Sequence, residues 1–390
     1  MFISDYFDNK QVESMNNSLR SIILAVLLIS TPLCARSLPL ESLQLPPGYQ
    51  IRIAAEVDNA RQMARVDTPE GQGILFVGSR RAGKVVALRD RDGDGYYEQQ
   101  YLIAQGLNLP SGIAVQGNDL YVAAVDKIWR YPNLVTRLEN PPAAQLVTNK
   151  LPDETHHGWK YLKFGPDSWL YMNVGAPCNI CLSRDPRFAS LLRFNTDTGA
   201  QQVVASGVRN SVGFTWHPQD NSLWFTDNGR DHLGDDQPDD ELNRSTRPGQ
   251  HFGYPFVHAT DVRDPRFGKQ GSDHYVAPVL ELGAHVAPLG LTFYTGDQFP
   301  DATHNTLFIA EHGSWNRSLK VGYRVVRVET QAGQVVSHTP FISGWLRGQR
   351  HWGRPADVMV DHDGSLLISD DYAGVIYRVT SAKKPTKATQ

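Results

Sequence analysis

The feature that most constrains this chain is a pattern that recurs six times: a short strand of small and apolar residues, a polar turn, then a second apolar strand. Ser111-Gly112-Ile113-Ala114-Val115 leads through Gly117-Asn118-Asp119 into Leu120-Tyr121-Val122-Ala123. Leu162-Lys163-Phe164 leads through Gly165-Pro166-Asp167-Ser168 into Leu170-Tyr171-Met172-Asn173-Val174. The same plan returns from Val212 to Thr226, from Leu289 to Ala310 and from Ala356 to Ser369, with a divergent first copy from Gln62 to Gly78. Each unit runs on into a further strand that reads as its outer edge, such as Val85-Val86-Ala87-Leu88 or Tyr377-Arg378-Val379. A single sheet of this kind cannot bury both faces, whereas several packed radially cover one another. A period of roughly 40–60 residues with long insertions suits propeller blades, and a β-sandwich would space its strands more tightly and evenly. The chain is therefore predicted to be all-β, a six-bladed β-propeller over residues 36–382 with a polar tail at 383–390.

Composition agrees. With 33 Gly, 24 Pro and 10% aromatics, the chain suits many short strands and tight turns better than long helices. The formal charge of −3 is spread among scattered acids and bases, which excludes the concentrated basic face that nucleic-acid binding needs. Residues 1–35 read as a signal region. An apolar core from Ser21 to Ile29 follows Arg20 and precedes Leu33-Cys34-Ala35, and the acidic Asp5 and Asp8 point to Met15 as the start. The core is too short to span a bilayer comfortably; an uncleaved anchor is the alternative. A periplasmic or secreted protein, with no stable membrane insertion after cleavage, is the expectation. Cys178 and Cys181 would then remain as a C-x-x-C pair, which in an exported protein reads as a local disulfide. Leu182 follows Cys181, so no haem-attachment motif is present.

Four groups of residues carry possible chemistry. His157, in Thr155-His156-His157-Gly158-Trp159, precedes an inner strand, where it can accept a proton from an alcohol or simply be a solvated loop histidine. Arg209 and Asn210 precede the next inner strand and offer a fork of donors, or else a structural tie between blades. Thr226-Asp227-Asn228-Gly229-Arg230-Asp231, followed by Asp235, Asp236, Asp239, Asp240 and Glu241, is oxygen-rich irregular chain of the kind calcium accepts; an acidic surface loop is the plain alternative. Arg354 precedes the sixth inner strand. Three groups thus stand just before an inner strand and one just after what reads as an outer strand, so all should converge on one mouth of the central channel. Asp90-Arg91-Asp92-Gly93-Asp94-Gly95 matches the start of a calcium loop, yet the twelfth position is Tyr101, which favours a plain turn over a peripheral calcium site.

In these motifs the chain resembles the soluble glucose/sorbosone dehydrogenase family of pyrroloquinoline quinone (PQQ) enzymes, in particular its sorbosone-dehydrogenase-like branch, from about Leu45 to Val379. The landmarks are His157 before Gly165-Pro166-Asp167, Arg209-Asn210 before Val212-Gly213-Phe214, Asp240-Glu241-Leu242-Asn243 before Phe252-Gly253-Tyr254-Pro255, and Arg354 before Asp357-Val358. The resemblance implies oxidation of a sugar or sugar-derived aldehyde or hemiacetal, with PQQ and Ca²⁺ as cofactors and an external cytochrome or quinone as electron acceptor. It implies His157 as the base that removes the hydroxyl proton while hydride passes to the quinone, with Arg209 and Asn210 facing cofactor and reacting oxygen. Gly229 and Arg230 would be main-chain calcium ligands. Arg354 would neutralise PQQ carboxylates, with Arg317 or Lys320 supplying a further cation. Three positions depart from the family: Ala176 stands where an acid orients the base, leaving Asn173 as a candidate to hold His157; Ala356 replaces a second arginine; and the lysine falls in an expanded segment, Glu311 to Lys320. Those departures keep two other readings open, a non-catalytic sugar- or partner-binding propeller and a calcium-dependent lactonase on the same scaffold.

Overall fold

The structure, a computed structural model, describes residues 38–68, 73–272, 274–300, 302 and 304–382. The expected signal region with Met15 and Cys34, and the tail at 383–390, lie outside the described residues. Among the described residues no helix is long and apolar enough to cross a membrane.

Six sheets carry the fold, a six-bladed β-propeller. The first blade runs Ala60–Asp67, Gly73–Ser79, Val85–Arg89, Gln99–Ala104, and the second Gly112–Gln116, Asp119–Ala123, Ile128–Tyr131, Gln145–Thr148. The third runs Leu162–Phe164, Leu170–Val174, Ser190–Phe194, Gln201–Ser206, with the short Gln250–His251 added in parallel at its edge. The fourth runs Phe214–Trp216, Leu223–Asp227, Asp239–Ser245, Leu280–Ala284, and the fifth Pro288–Phe293, Thr306–Glu311, Arg324–Gln331, Gln334–Ile342. The sixth begins Pro355–Val360, Leu366–Asp370, Val375–Ser381 and takes its fourth strand, Tyr49–Glu56, from the other end of the chain. The six sequence copies are the first two strands of these blades. The strands expected to be outermost are corrected: Val85–Arg89 and Val375–Ser381 are third strands, each covered by a fourth. The outermost strands escaped the pattern because they face water on one side and their sequences are mixed, as in Gln-Gln-Tyr-Leu-Ile-Ala at Gln99–Ala104.

Second strands are buried on both faces, which is why they read as nearly unbroken apolar runs. The cores lie between blades: Ile74 and Phe76 of the first pack with Ile113, Leu120 and Val122 of the second. Trp224 and Leu242 of the fourth likewise meet Leu291, Phe293, Leu307 and Ile309 of the fifth. Each such buried side chain contributes roughly 1.5–3 kcal/mol, so radial packing rather than any single sheet holds the ring. Asp90–Gly95 is a turn joining third and fourth strands; the Asp90 carboxylate accepts from the amides of Gly93 and Gly95 at 2.8 and 2.7 Å.

First and second strands of a blade are antiparallel, so the start of one and the end of the other meet on the same face of the ring. The Asn228-Gly229 segment follows a second strand, Leu223–Asp227, and not an outer one as expected. That placement is what brings it beside Arg209 and Asn210.

Candidate cofactor site at the channel mouth

A cavity of about 260 Å³ opens at this mouth. It is lined by residues at or just before the start of first strands (Arg61, His157, Trp159, Arg209, Asn210, Ala287, Arg354) and just after second strands (Arg80, Asn228, Gly229, His312, Gly313).

His157 sits in left-handed backbone, φ 53°, and is buried against the loop after Leu170–Val174. Its Nδ1 lies 2.9 Å from the Ala176 carbonyl oxygen. A carbonyl only accepts, so Nδ1 carries the proton and Nε2 is left as the basic nitrogen. Asn173, the expected holder, is spent elsewhere: it accepts from the Tyr161 amide at 2.6 Å and donates to the Trp159 carbonyl at 3.2 Å. The Ala176 peptide itself is fixed, its amide donating to the Arg209 carbonyl at 2.7 Å. A main-chain carbonyl thus does the orienting that a carboxylate was expected to do. Gly175 makes room for it, since a Cβ there would lie 2.5 Å from His157 Cβ and 2.9 Å from the His157 carbonyl. Gly175→Ala should cost about 1–3 kcal/mol, read by urea unfolding; an unchanged midpoint would mean the loop relaxes freely.

Burial, and then the neighbouring Arg209 and His156, push the His157 pKa from 6.5 down to about 2. The folded protein therefore keeps this imidazole neutral where the unfolded chain protonates it. Stability from this group is full above pH 6.5 and is lost as pH falls below it, by about 1.4 kcal/mol per pH unit. A His157→Asn variant lacks the group, so its stability relative to the parent should rise between about pH 7 and pH 5. Parallel unfolding curves over that range would contradict the burial of a neutral ring.

Arg209 is buried and all three of its guanidinium nitrogens donate: Nε to the Asn179 carbonyl at 2.9 Å, and one terminal nitrogen to the Asn228 carbonyl at 3.0 Å. The other terminal nitrogen reaches Asn179 Oδ1 at 2.9 Å and Asp231 Oδ2 at 3.2 Å. The Arg209 and Asn210 amides both point at the Asp227 carboxylate, at 2.7 and 2.6 Å. Asp240 accepts from the amides of Gly229 and Ala287, each at 2.7 Å, and burial raises its pKa to about 7. Gly229, Asp231 and Asp240 make the oxygen-bearing wall of the cavity. Arg230 does not line it; its guanidinium turns away to Asp264 at 2.6 Å.

Across the cavity lie three arginines. Arg61 pairs with Asp371 at 2.9 Å, and Asp371 also meets His312 Nε2 at 2.8 Å. Arg80 stacks its guanidinium 3.8 Å from the centre of the Trp159 ring, and Arg354 donates to the His312 and Gly313 carbonyls at 3.3 and 3.4 Å. Burial, and then Arg61, lower the Arg80 pKa to about 10; burial is also the main cause of the lowering at Arg354. Asp371 is the carboxylate among them. Although burial alone would raise it, His312 and Arg61 hold it below the usual range.

The expected cations Arg317 and Lys320 are not on the cavity wall. Arg317 is drawn off by the Asp235 carbonyl and by Asp236 at 2.8 Å, and Lys320 Nζ lies 3.4 Å from His351 Nδ1. Their neighbours Trp315 and Asn316 reach the cavity instead. Arg61, Arg80 and His312 were not anticipated, although a positional signal existed: Arg61 stands at the start of a first strand, on the face to which Arg209 leads, and Arg80 follows a second strand as Asn228 does. Four buried polar atoms on the wall have no hydrogen-bond partner among the described residues: Arg80 Nε, Trp159 Nε1, Asn210 Oδ1 and Asn316 Nδ2. Buried polar groups are ordinarily satisfied, so three donors and an acceptor left open at one cavity mark it as suited to a polar ligand.

The chain is thus a six-bladed β-propeller with a charged cavity at one mouth of its channel. More particularly, residues 39–389 match the family described as Domain of unknown function (DUF7133), and the chain belongs to it. It is 33% identical over 378 residues to a protein of Borreliella burgdorferi described as uncharacterized, covering 93% of this chain and 97% of that one. It is 25% identical to a pyrroloquinoline quinone-dependent pyranose dehydrogenase of Coprinopsis cinerea over 87% of this chain, spanning 56% of that relative. Among solved structures it is similar to the holo form of the pyranose dehydrogenase PQQ domain of C. cinerea, with TM-score 0.70, 18% identity and 87% and 97% of the two chains covered. A calcium structure of a Trichoderma reesei family AA12 enzyme gives TM-score 0.72, 21% identity and the same coverage of 87% and 97%. At such identities these structures establish the shared fold.

Proposed function

We propose that this protein is a PQQ- and calcium-dependent dehydrogenase that oxidises a sugar or sugar-derived aldehyde or hemiacetal and passes the electrons to an external acceptor. The observation that carries the reading is the cluster of Arg61, Arg80 and Arg354 around the Asp371 carboxylate, facing a buried neutral histidine across one cavity. Arg61, which is buried, and Arg80 and Arg354, which are half-buried, together favour a polyanion. The open Trp159, Asn210 and Asn316 atoms favour one that also carries hydrogen-bonding groups. The C. cinerea relative, described as PQQ-dependent, supports the same choice.

Within this reading Arg61, Arg80 and Arg354 hold the carboxylates, in place of the second arginine missing at Ala356. Asn210 contributes an acceptor, and Gly229 with Asp231 and Asp240 supplies oxygens to the cation. Bound there, PQQ supplies a two-electron acceptor and Ca²⁺ the Lewis acidity that activates it. The chain itself binds the substrate hydroxyl near His157, whose Nε2 takes the proton while Ala176 holds Nδ1 and fixes the ring. An anion beside Arg209 offsets the positive field on the imidazole and makes it a stronger base than in the empty cavity. Residues 36–382 form the catalytic domain, and export to the periplasm or beyond is in keeping with the Cys178–Cys181 disulfide.

Purified protein mixed with PQQ and Ca²⁺ should acquire a quinone absorption band and reduce a dye with aldoses or sorbosone as donor. Absence of both the band and dye reduction would overturn the proposal. Hydrolysis of a lactone without the band would replace it with the lactonase reading.

A further inference from the structure

The Cys178–Cys181 disulfide encloses two residues, Asn179 and Ile180, and Asn179 is tied to the cavity wall through four hydrogen bonds. Its carbonyl accepts from Arg209 Nε at 2.9 Å, and its Oδ1 accepts from an Arg209 terminal nitrogen at 2.9 Å and from the Asp231 amide at 2.9 Å. Its Nδ2 donates to the Asp231 carbonyl at 3.1 Å. One residue therefore receives two edges of a buried guanidinium and also binds the loop that carries Asp231. A buried guanidinium is costly unless every N–H is met in fixed geometry, so whatever fixes Asn179 fixes Arg209.

The segment holding Asn179 is irregular, with no strand from Gly175 to Ala189. Besides the Ala176 amide and the bonds of Asn179 itself, it is restrained by the disulfide and by Tyr254, whose hydroxyl accepts from the Cys181 amide at 3.0 Å and lies 3.6 Å from Cys178 Sγ. Tyr254 belongs to the Phe252-Gly253-Tyr254-Pro255 landmark of the long fourth-blade insertion, which gives that motif a physical task. Both cysteines are half-buried, so a small reductant can reach them.

We propose that Asn179, clamped between the bridged Cys178 and Cys181, is the positioning residue that aims Arg209 at the cavity, and that breaking the bridge releases Arg209. The effect on PQQ rests on the function proposed above; the effect on Arg209 does not. Two readouts keep them apart. Nitrogen-15 NMR of the arginine side chains should show the Nε–H of Arg209 protected from exchange in the oxidised protein. That signal should be lost in a Cys178→Ser, Cys181→Ser double variant, or on reducing the native protein with a phosphine should the variant not fold. Quenching of Trp159 and Trp315, which line the cavity, reports PQQ and Ca²⁺ binding, and affinity should fall about 10–100-fold in the unbridged protein. Asn179→Asp, which keeps the Oδ1 acceptor, should retain more affinity than Asn179→Ala at equal melting temperature.

An Arg209 signal that stays protected without the bridge would overturn the proposal, as would equal affinity loss in the two Asn179 variants. A wild-type protein that binds no PQQ while losing the Arg209 signal on reduction would refute the cofactor assignment and uphold the positioning role.

Discussion

Turnover in a His157→Asn variant should fall about 10²–10⁴-fold while PQQ and Ca²⁺ still bind, the range expected when a single general base is removed. Asparagine is the informative replacement because it tolerates the left-handed backbone found here, φ 53°, better than alanine does. Its amide can also donate to the Ala176 carbonyl in place of Nδ1, so the loop keeps its anchor while the basic nitrogen is lost. Stopped-flow reduction with a saturating aldose, followed by a cofactor titration, separates chemistry from binding. A variant that keeps more than a tenth of the parent rate would remove His157 from the role of base.

Arg80→Leu should act with opposite signs on stability and binding. In the absence of ligand Arg80 is crowded by burial and by Arg61, which together lower its pKa to about 10, and its Nε has no partner among the described residues. Leucine keeps an apolar contact with the Trp159 ring and removes the like charge, so the unliganded variant should match or exceed the parent in urea unfolding. On the proposed function, affinity for PQQ should drop by about 2 kcal/mol, roughly 30-fold, since a half-buried charge that meets a carboxylate is lost. The remaining binding should also depend less on salt than the parent's. Losing stability while retaining affinity would show that Arg80 is a structural brace and that the anion is held elsewhere. Residues tuned for a ligand at the expense of the empty protein are expected to show this trade.

The propeller was legible because its causes are local. Second strands buried on both faces must be apolar along their length, and the polar turns between antiparallel neighbours must carry Gly, Asn or Asp. Six copies of that pattern therefore announced six blades; the half-exposed outermost strands, including the closing Tyr49–Glu56, went unseen, and so did Asp239–Ser245, a third strand whose acidic start reads as irregular chain. His157, Arg209, Asn210, Gly229 and Arg354 were legible for a related reason. In a propeller, sequence position relative to a strand end is position in space, and all five line one cavity.

What the sequence by itself determined is therefore the ring and the face on which chemistry is placed. The tertiary structure alone decided which charges occupy that face. Arg317 and Arg80 are both plausible cations in the chain, yet Arg317 is neutralised by a loop 82 residues away while Arg80 is left facing the cavity. The orienter of His157 was equally out of reach, because a backbone carbonyl such as that of Ala176 carries no side-chain signature. Alternation and turn chemistry act over a few residues and are written in the local sequence. Charge pairing is settled by whichever partner the folded blades bring within about 4 Å, and that depends on the whole ring.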